Sequence, residues 1–214
     1  MLTVHGTTLE NPYLIIKEDI DFDQFLELAN ETDKCELIGG VFIMHSPAST
    51  QHEFVFQFLL GLLGNYVSFY NLGTVLGSRT VVKVDDKNGY EPDILFVSNH
   101  NKAEITKTYI DGSPDFIVEI LSATTKRYDL GSKRDYYEKI GVKEYWVVDI
   151  DNKEIIKHTL TQNRFEETPI AKGKLKSVTI NGFWINVEWL WMGKLPKGLD
   201  CLAEIIGFEI KLKK

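Results

Sequence analysis

The sequence predicts an α/β or α+β domain in which a mixed central sheet is flanked by helices. Short apolar segments rich in β-branched and aromatic residues recur along the chain and are typical of buried strands. A helical segment at 129–140 separates two of them, at 115–121 and 144–149, as in a crossover between parallel strands. With 214 residues, 43% of them hydrophobic, the chain can bury one core. We expect one domain over residues 1–214, with a core at about 20–190 and a C-terminal extension at about 191–214.

The first part of the chain alternates helices and strands. Residues 21–30 have the spacing of an amphipathic helix that begins after an Asp21 cap. Residues 35–44 predict two strands around a Gly-Gly turn. Apolar residues recur at helical spacing over 50–70, which predicts the longest helix of the chain.

The remaining elements are mainly strands. Residues 85–89 predict a turn or the tip of a hairpin, and Gly141 is expected to end the helix at 129–140. Strands are predicted at 73–84, 93–98, 115–121, 144–149, 154–160, 165–169 and 175–180.

Composition and charge narrow the function classes. Cys35 and Cys201 have no metal-like spacing, which favours a reduced, cytoplasmic setting. The chain has neither a run of about 20 apolar residues nor the pattern of a signal peptide, so no membrane association is expected. The net charge of −7 disfavours non-specific binding to nucleic acid, although local patches can reverse the field. Basic residues cluster at Lys126, Arg127, Lys133 and Arg134, and at Lys172, Lys174 and Lys176, and the second cluster is interpreted as a solvated face.

Two apolar strands carry carboxylates where burial makes a charge costly. Glu119 lies inside the strand at 115–121, and Asp93 opens the strand at 93–98 directly after Pro92. If these strands are neighbours, about 5 Å apart, both carboxylates could hold one hard cation such as Mg²⁺. The alternative is that Asp93 caps a turn and Glu119 pairs with a buried lysine. Asp115 lies about 13 Å along the strand from Glu119, too far to share the cation, and is interpreted as a strand-start residue.

A lysine interrupts the apolar stripe of the helix at 129–140. Lys133 lies three residues after Leu130 and four before Tyr137, so its side chain should point towards the sheet. There it could orient an attacking water and neutralise negative charge in a transition state. The alternative is that its stem lies along the core while its ammonium reaches solvent.

An ordered set of segments resembles the Uma-two family of restriction-endonuclease-like proteins, within the PD-(D/E)XK nuclease superfamily. The resemblance covers roughly residues 20–190. The segments are 36–40, Ser46-Pro47 with His52, Pro92-Asp93, 118–122, Asp129 with Lys133 and Tyr137, and 141–149.

This resemblance implies a restriction-endonuclease-like fold and Mg²⁺-dependent (or Mn²⁺-dependent) hydrolysis of DNA. It implies that Asp93 and Glu119 are metal ligands, with the backbone carbonyl of Ile120 as a third, and that Lys133 replaces the superfamily lysine usually found where this chain has Leu121. Two further correspondences leave alternatives open.

Glu36 matches an acidic position near the metal, or is a surface glutamate at a strand edge. His52 matches a family position as well, although a lone histidine there is more often a core or cap residue. We expect His52 and Tyr137 to support the site from outside the ligand set, with Tyr137 mainly a packing residue.

Three functions are consistent with these features: a metal-dependent DNA endonuclease, a catalytically inactive nuclease fold that binds DNA or protein, and a hydrolase of RNA or small phosphodiesters. Cleavage of both strands of a duplex suggests a homodimer. The aromatic segments 183–191 and 199–210 could form its interface, or could cover the sheet of their own subunit.

Overall fold

The computed structural model describes residues 2–4, 7–9, 14–29, 34–45, 47–122 and 129–208. Within these residues the fold is a mixed α+β arrangement of two larger sheets and four helices. The helices are α1 (Phe22–Leu28), α2 (Thr50–Phe69), α3 (Arg134–Ile140) and α4 (Gly198–Ile206). The strands are β1 (Leu2–Val4), β2 (Thr7–Leu9), β3 (Leu14–Lys17), β4 (Cys35–Ile38), β5 (Val41–Met44), β6 (Gly73–Gly77), β7 (Val81–Asp85), β8 (Asn88–Tyr90), β9 (Ile94–Ser98), β10 (Glu104–Ile105), β11 (Tyr109–Asp111), β12 (Phe116–Ile120), β13 (Glu144–Asp149), β14 (Glu154–Thr161), β15 (Arg164–Ile170), β16 (Lys174–Lys176) and β17 (Trp184–Asn186).

A six-stranded sheet in the order β15-β14-β13-β12-β9-β6 forms the centre of the fold. The predicted crossover is confirmed, because β12 runs parallel to β13 and the segment that contains α3 connects them. Strand β9 pairs antiparallel with β12, with Val118 opposite Ile94. The two strands that carry the acidic residues are therefore neighbours, as the proposed convergence requires.

The two faces of this sheet bury different side chains of the same strand. Phe116, Val118 and Ile120 pack in the core under α2, and Ile117 and Leu121 pack in the core that contains Tyr137 of α3. This alternation puts Glu119 on the α3 face, as the period of two predicts. Gly141 ends α3 in the left-handed conformation (φ 88°), which glycine adopts without steric cost.

The second large sheet, in the order β10-β11-β7-β8-β4-β5-β3, lies against helix α1. Asp21 caps α1 as predicted: it accepts a hydrogen bond from the Gln24 amide, and its own amide donates to the Gln24 side chain. Cys35 and Leu37 of β4 pack with Phe22 and Phe25. Ile38 packs with the core of the six-stranded sheet. Glu36 and Ile38 lie on the same face of β4, and this face is therefore directed towards the acidic strands.

Two predicted elements differ from the structure, and the polar segment between the strands at 93–98 and 115–121 adds two strands that were not predicted. The single strand predicted at 73–84 is two strands in different sheets, because the chain turns at Arg79, whose φ is positive. The polar segment between the acidic strands contributes β10 and β11. The strand predicted at 175–180 ends at Lys176, because the buried Glu144 carboxylate accepts hydrogen bonds from Ser177, Val178 and Thr179 and turns the chain there.

The C-terminal aromatic segments cover the sheet of their own subunit where their side chains are buried. Phe183 stacks on Trp146 of β13, and Trp189 meets Phe58 of α2 edge to face. Cys201 of α4 joins the same core, whereas Leu199 is exposed and Ile210 lies outside the described residues. No helix in the described part of the chain combines the length and the apolarity needed to cross a bilayer.

Candidate functional site

The predicted site residues converge at the C-terminal end of β12, where the two large sheets meet. Asp93, Glu119, Glu36 and Lys133 are all buried there. The structure also brings in Lys34, which precedes β4.

Asp93 continues the pairing of β9 with β12 through its side chain. The pairing of β9 with β12 extends to Ile94 opposite Val118. Beyond that pair, the Asp93 carboxylate accepts a hydrogen bond from the Ile120 amide at 2.8 Å. The same carboxylate contacts Lys34 Nζ at 2.7 Å and His52 Nε2 at 3.2 Å. Asp93 thus bonds the backbone of the neighbouring strand rather than a turn, and its carboxylate lies directly against Ile120.

Glu119 and Glu36 share the ammonium of one buried lysine. Lys133 Nζ lies 2.9 Å from Glu119 Oε1 and 2.7 Å from Glu36 Oε1. Tyr137 donates its hydroxyl to the same oxygen of Glu119 at 3.0 Å. The Lys133 side chain is only 2% exposed, so the alternative in which its ammonium reaches solvent is wrong. In the structure Glu119 pairs with this buried lysine, as the alternative for Glu119 proposed.

The local backbone explains why Lys133 faces inward. The segment Asp129–Lys133 forms a wide turn that is kinked at Gly131, and regular α-helix begins at Arg134. Lys133 is therefore the residue that enters α3, one turn before the buried Tyr137. The predicted helix at 129–140 is confirmed, with an irregular first turn. Lys126 and Arg127 of the same basic cluster lie outside the described residues.

Glu36 is a fully buried member of this cluster and not a surface residue. Its second oxygen lies 2.8 Å from His45 Nε2, and its first accepts the Glu91 amide at 3.0 Å. Glu91 itself is buried and accepts the Cys35 amide. These contacts join the hairpin of β4 and β5 to the segment that leads into β9.

The electrostatics follow from burial and from the ion pairs. Burial alone would raise the pKa of Glu36, but the Lys133 ammonium and His45 outweigh it and lower that pKa to about 2. Burial likewise opposes ionisation of Asp93, yet Lys34 and His52 hold its pKa well below the usual range. At Glu91, burial and the charge of Glu36 outweigh Lys34 and the Cys35 amide and raise the pKa to about 8. Glu36 and Asp93 are thus ionised at pH 7, and Glu91 is mainly protonated.

Sequence reasoning missed three members of the cluster: Lys34, His45 and Glu91. Two of them lie two residues before an acid that was identified, Lys34 before Glu36 and Glu91 before Asp93, and so share its face of the strand. A charged residue that flanks a strand is ordinary, however, and does not by itself signal burial. His45 follows β5 directly, and only the pairing of β5 with β4 brings it to Glu36.

The donor set suits a hard divalent cation. No three His, Cys, Asp or Glu side chains of the described chain form a ready-made metal cluster. Mg²⁺ does not require one, since it takes one or two carboxylates and completes its shell with backbone or water oxygens and phosphate. The cluster holds three buried carboxylates, of Glu36, Asp93 and Glu119, and the carboxyl group of Glu91, against two lysines. The acidic excess and the all-oxygen donors of Asp93 and Glu119 fit such an ion.

Comparisons with known proteins agree with this architecture. A family model described as "Putative restriction endonuclease", Uma2, matches residues 22–188. A crystal structure described as that of "a putative nuclease belonging to DUF820" from Anabaena variabilis ATCC 29413 matches with a TM-score of 0.67 and 17% sequence identity. That match covers 80% of this chain and 97% of the other. No curated protein matches significantly. The fold is restriction-endonuclease-like, and the chain belongs to the Uma2 family.

Proposed function

We propose that this protein is a metal-dependent endonuclease that hydrolyses phosphodiester bonds in DNA. The observation that carries the proposal is the convergence of Asp93 and Glu119 from adjacent strands into one buried cluster that also contains Lys133. Buried carboxylates are costly unless they bind a cation or a donor. Membership of a family described as restriction endonucleases supports the same reaction class.

Each residue has a proposed role. Asp93, Glu119 and the backbone carbonyl of Ile120 would hold Mg²⁺ or Mn²⁺. The bound ion would polarise the phosphoryl group and lower the pKa of water. Lys133 holds the carboxylates of Glu119 and Glu36 in place and would orient the attacking water beside them. Tyr137 and His52 fix the orientation of Glu119 and Asp93 through their hydrogen bonds.

The reaction is a simple displacement. The attacking water gives up a proton to solvent as its oxygen forms a bond to phosphorus. The bond from phosphorus to the leaving oxygen breaks, and the leaving oxygen takes up a proton from solvent, so that the protons balance. The products are a terminal phosphate and a hydroxyl group. Negative charge develops on the phosphoryl oxygens, so cationic side chains near them lower the barrier.

A plasmid cleavage assay tests the proposal. We expect the wild type to nick or cut supercoiled DNA with Mg²⁺ or Mn²⁺ and to be inactive in EDTA. Glu119→Gln and Lys133→Ala should lose about 10²-fold or more in rate. Asp115→Asn is the matched control, because Asp115 is also a buried acid after a proline and is paired with a lysine, outside the cluster. Equal cleavage by the wild type and both site variants would refute the assignment.

A catalytically inactive DNA-binding or protein-binding module is the second candidate. One observation favours it: Asp93, Glu119 and Glu36 each already form an ion pair with Lys34 or Lys133 within the chain. Calorimetric titration with Mn²⁺ separates the two candidates, because the absence of uptake at millimolar concentration would favour the inactive module. Cleavage of RNA in preference to DNA would assign the site to the third function considered.

A homodimer is part of the proposal for duplex cleavage. Two sites related by a two-fold axis would cut both strands. Light scattering after gel filtration should give twice the chain mass, and a monomer at high concentration would exclude the dimer.

A further inference from the structure

Lys34 is the one charged member of the cluster, as far as the chain is described, whose side chain reaches solvent substantially. It is 28% exposed, whereas Asp93, Glu119, Glu36 and Lys133 are each 3% exposed or less. A nucleic-acid phosphate must approach the cluster from solvent. Lys34 therefore lies where the cluster opens to a substrate.

The two lysines of the cluster are engaged in different ways. The Lys133 ammonium lies between two buried carboxylates, and its side chain is only 2% exposed. Among the described residues, the Lys34 ammonium has Asp93 Oδ1 as its hydrogen-bond acceptor. An ammonium group has three donors, so Lys34 can hold Asp93 and still donate to phosphate oxygens.

We propose that Lys34 contacts the phosphate of the nucleic-acid substrate at the mouth of the site and stabilises the charge that develops on it. The proposal deepens the phosphodiesterase function and rests on it. Lys34 adds no proton and takes none: it donates hydrogen bonds to non-bridging phosphate oxygens while water displaces the leaving oxygen. Lys133 lies deeper in the cluster, on the carboxylates of Glu36 and Glu119.

The chain supplies a matched control for Lys34. Lys143 Nζ lies 2.6 Å from Asp115 Oδ1, so it too pairs with a buried aspartate that follows a proline. Lys143 is 65% exposed, and Asp115 is hydrogen-bonded to Ser98 and Asn101, away from the site. Lys34→Met and Lys143→Met remove the same charge from the same kind of pair, and only the first removes it from the site.

The salt dependence of DNA binding measures the phosphate contact without any cleavage. A labelled duplex is titrated in EDTA at potassium chloride concentrations between about 50 and 200 mM. The slope of log Kobs against log salt is negative, and loss of one phosphate contact lowers its magnitude by about 0.9. We expect that decrease for Lys34→Met and no change for Lys143→Met. A wild-type slope in Lys34→Met, or no binding of duplex by the wild type, would overturn the proposal.

Cleavage rates give the second measurement. With Mn²⁺ and saturating DNA, Lys34→Met should lose about 10²-fold in kcat, and Lys34→Arg should recover at least about tenfold of that loss. If Lys34→Met does not fold, Lys34→Gln keeps a donor for Asp93 without the charge and takes its place in both assays. Unchanged kcat in the variant beside an active wild type refutes the role of Lys34 alone. An inactive wild type that takes up no metal refutes the endonuclease function, and the binding slope still tests Lys34.

Discussion

Replacing Lys133 with methionine should destabilise the fold strongly, because it leaves two buried carboxylates without their shared cation. The pKa of Glu36 is lowered from its ordinary 4.5 to about 2, a difference worth about 3 kcal/mol at 1.36 kcal/mol for each pH unit. Breaking a buried ion pair by removing one partner typically costs about 3–5 kcal/mol. The free energy of unfolding of a domain is about 5–15 kcal/mol, so the variant should fold marginally at pH 7.

The pH dependence separates this cause from a simple loss of packing. In the wild type, the depressed pKa of Glu36 stabilises the fold above pH 4.5, and this contribution is lost as pH falls from 4.5 towards 2. In Lys133→Met the pKa of Glu36 moves upwards, so protonation removes the uncompensated charge at higher pH. The stability difference between the two proteins should therefore be largest near pH 7 and shrink on acidification.

Urea denaturation in EDTA over a pH series measures the effect. The double variant Lys133→Met with Glu36→Gln should recover about 1–3 kcal/mol of the loss, because it removes one of the stranded charges. Lys143→Met should cost less than about 1 kcal/mol, since Lys143 is exposed. A loss below about 1 kcal/mol for Lys133→Met, or a loss that does not depend on pH, would refute the reasoning.

Three further predictions concern histidine, metal and helix capping. Burial, and after it the charge of Arg134, lowers the pKa of His158 from 6.5 to about 4, so the free energy of unfolding of the wild type should fall as pH falls through that interval, by about 1–2 kcal/mol at pH 5. His158→Phe should lack this loss in urea titrations at pH 7 and 5. Identical pH slopes for the two proteins would contradict the prediction. Lys34→Met should bind Mn²⁺ roughly tenfold more tightly by calorimetry, because the ammonium on Asp93 repels the cation; unchanged or weaker uptake would count against Asp93 as a ligand. Asp21→Ala removes the capping box of α1, so the free energy of unfolding should fall by about 1 kcal/mol and Tm by about 2–4 °C, while the rate of cleavage stays unchanged. An unshifted Tm would contradict the role of Asp21 as the cap.

Much of the fold was predictable because the periodic patterns are local. The alternation along β12, the apolar stripe of α2 and the glycine after α3 each fix an element within a few residues of sequence. The division of 73–84 between two sheets was not predictable in this way. It depends on the partners that β6 and β7 find, β9 in one sheet and β8 with β11 in the other.

The site was predictable only where a charge interrupted an apolar pattern. Glu119 and Lys133 interrupt a strand and a helix stripe, so each one signals burial from sequence alone. Lys34 and His45 flank their strands, where charged and polar residues are ordinary. Pairing of β4 with β5 brings His45 to Glu36, and the approach of the two sheets brings Lys34 to Asp93.

Lys133 belongs both to the candidate site and to the junction between the two large sheets. Its ammonium binds Glu36 of the seven-stranded sheet and Glu119 of the six-stranded sheet, and its backbone begins α3. Leu121 occupies the strand position of the usual lysine and packs in the α3-side core, so the cation comes from the helix. A substitution at Lys133 therefore changes stability and catalysis together, and an inactive variant would not reveal which one failed. Lys34 has one aspartate partner at the solvent edge, and Asp93 keeps its contacts with His52 and the Ile120 amide when Lys34 is replaced. Substitution of Lys34 therefore disturbs the junction of the sheets less than substitution of Lys133 and reports on the chemistry of the site more directly.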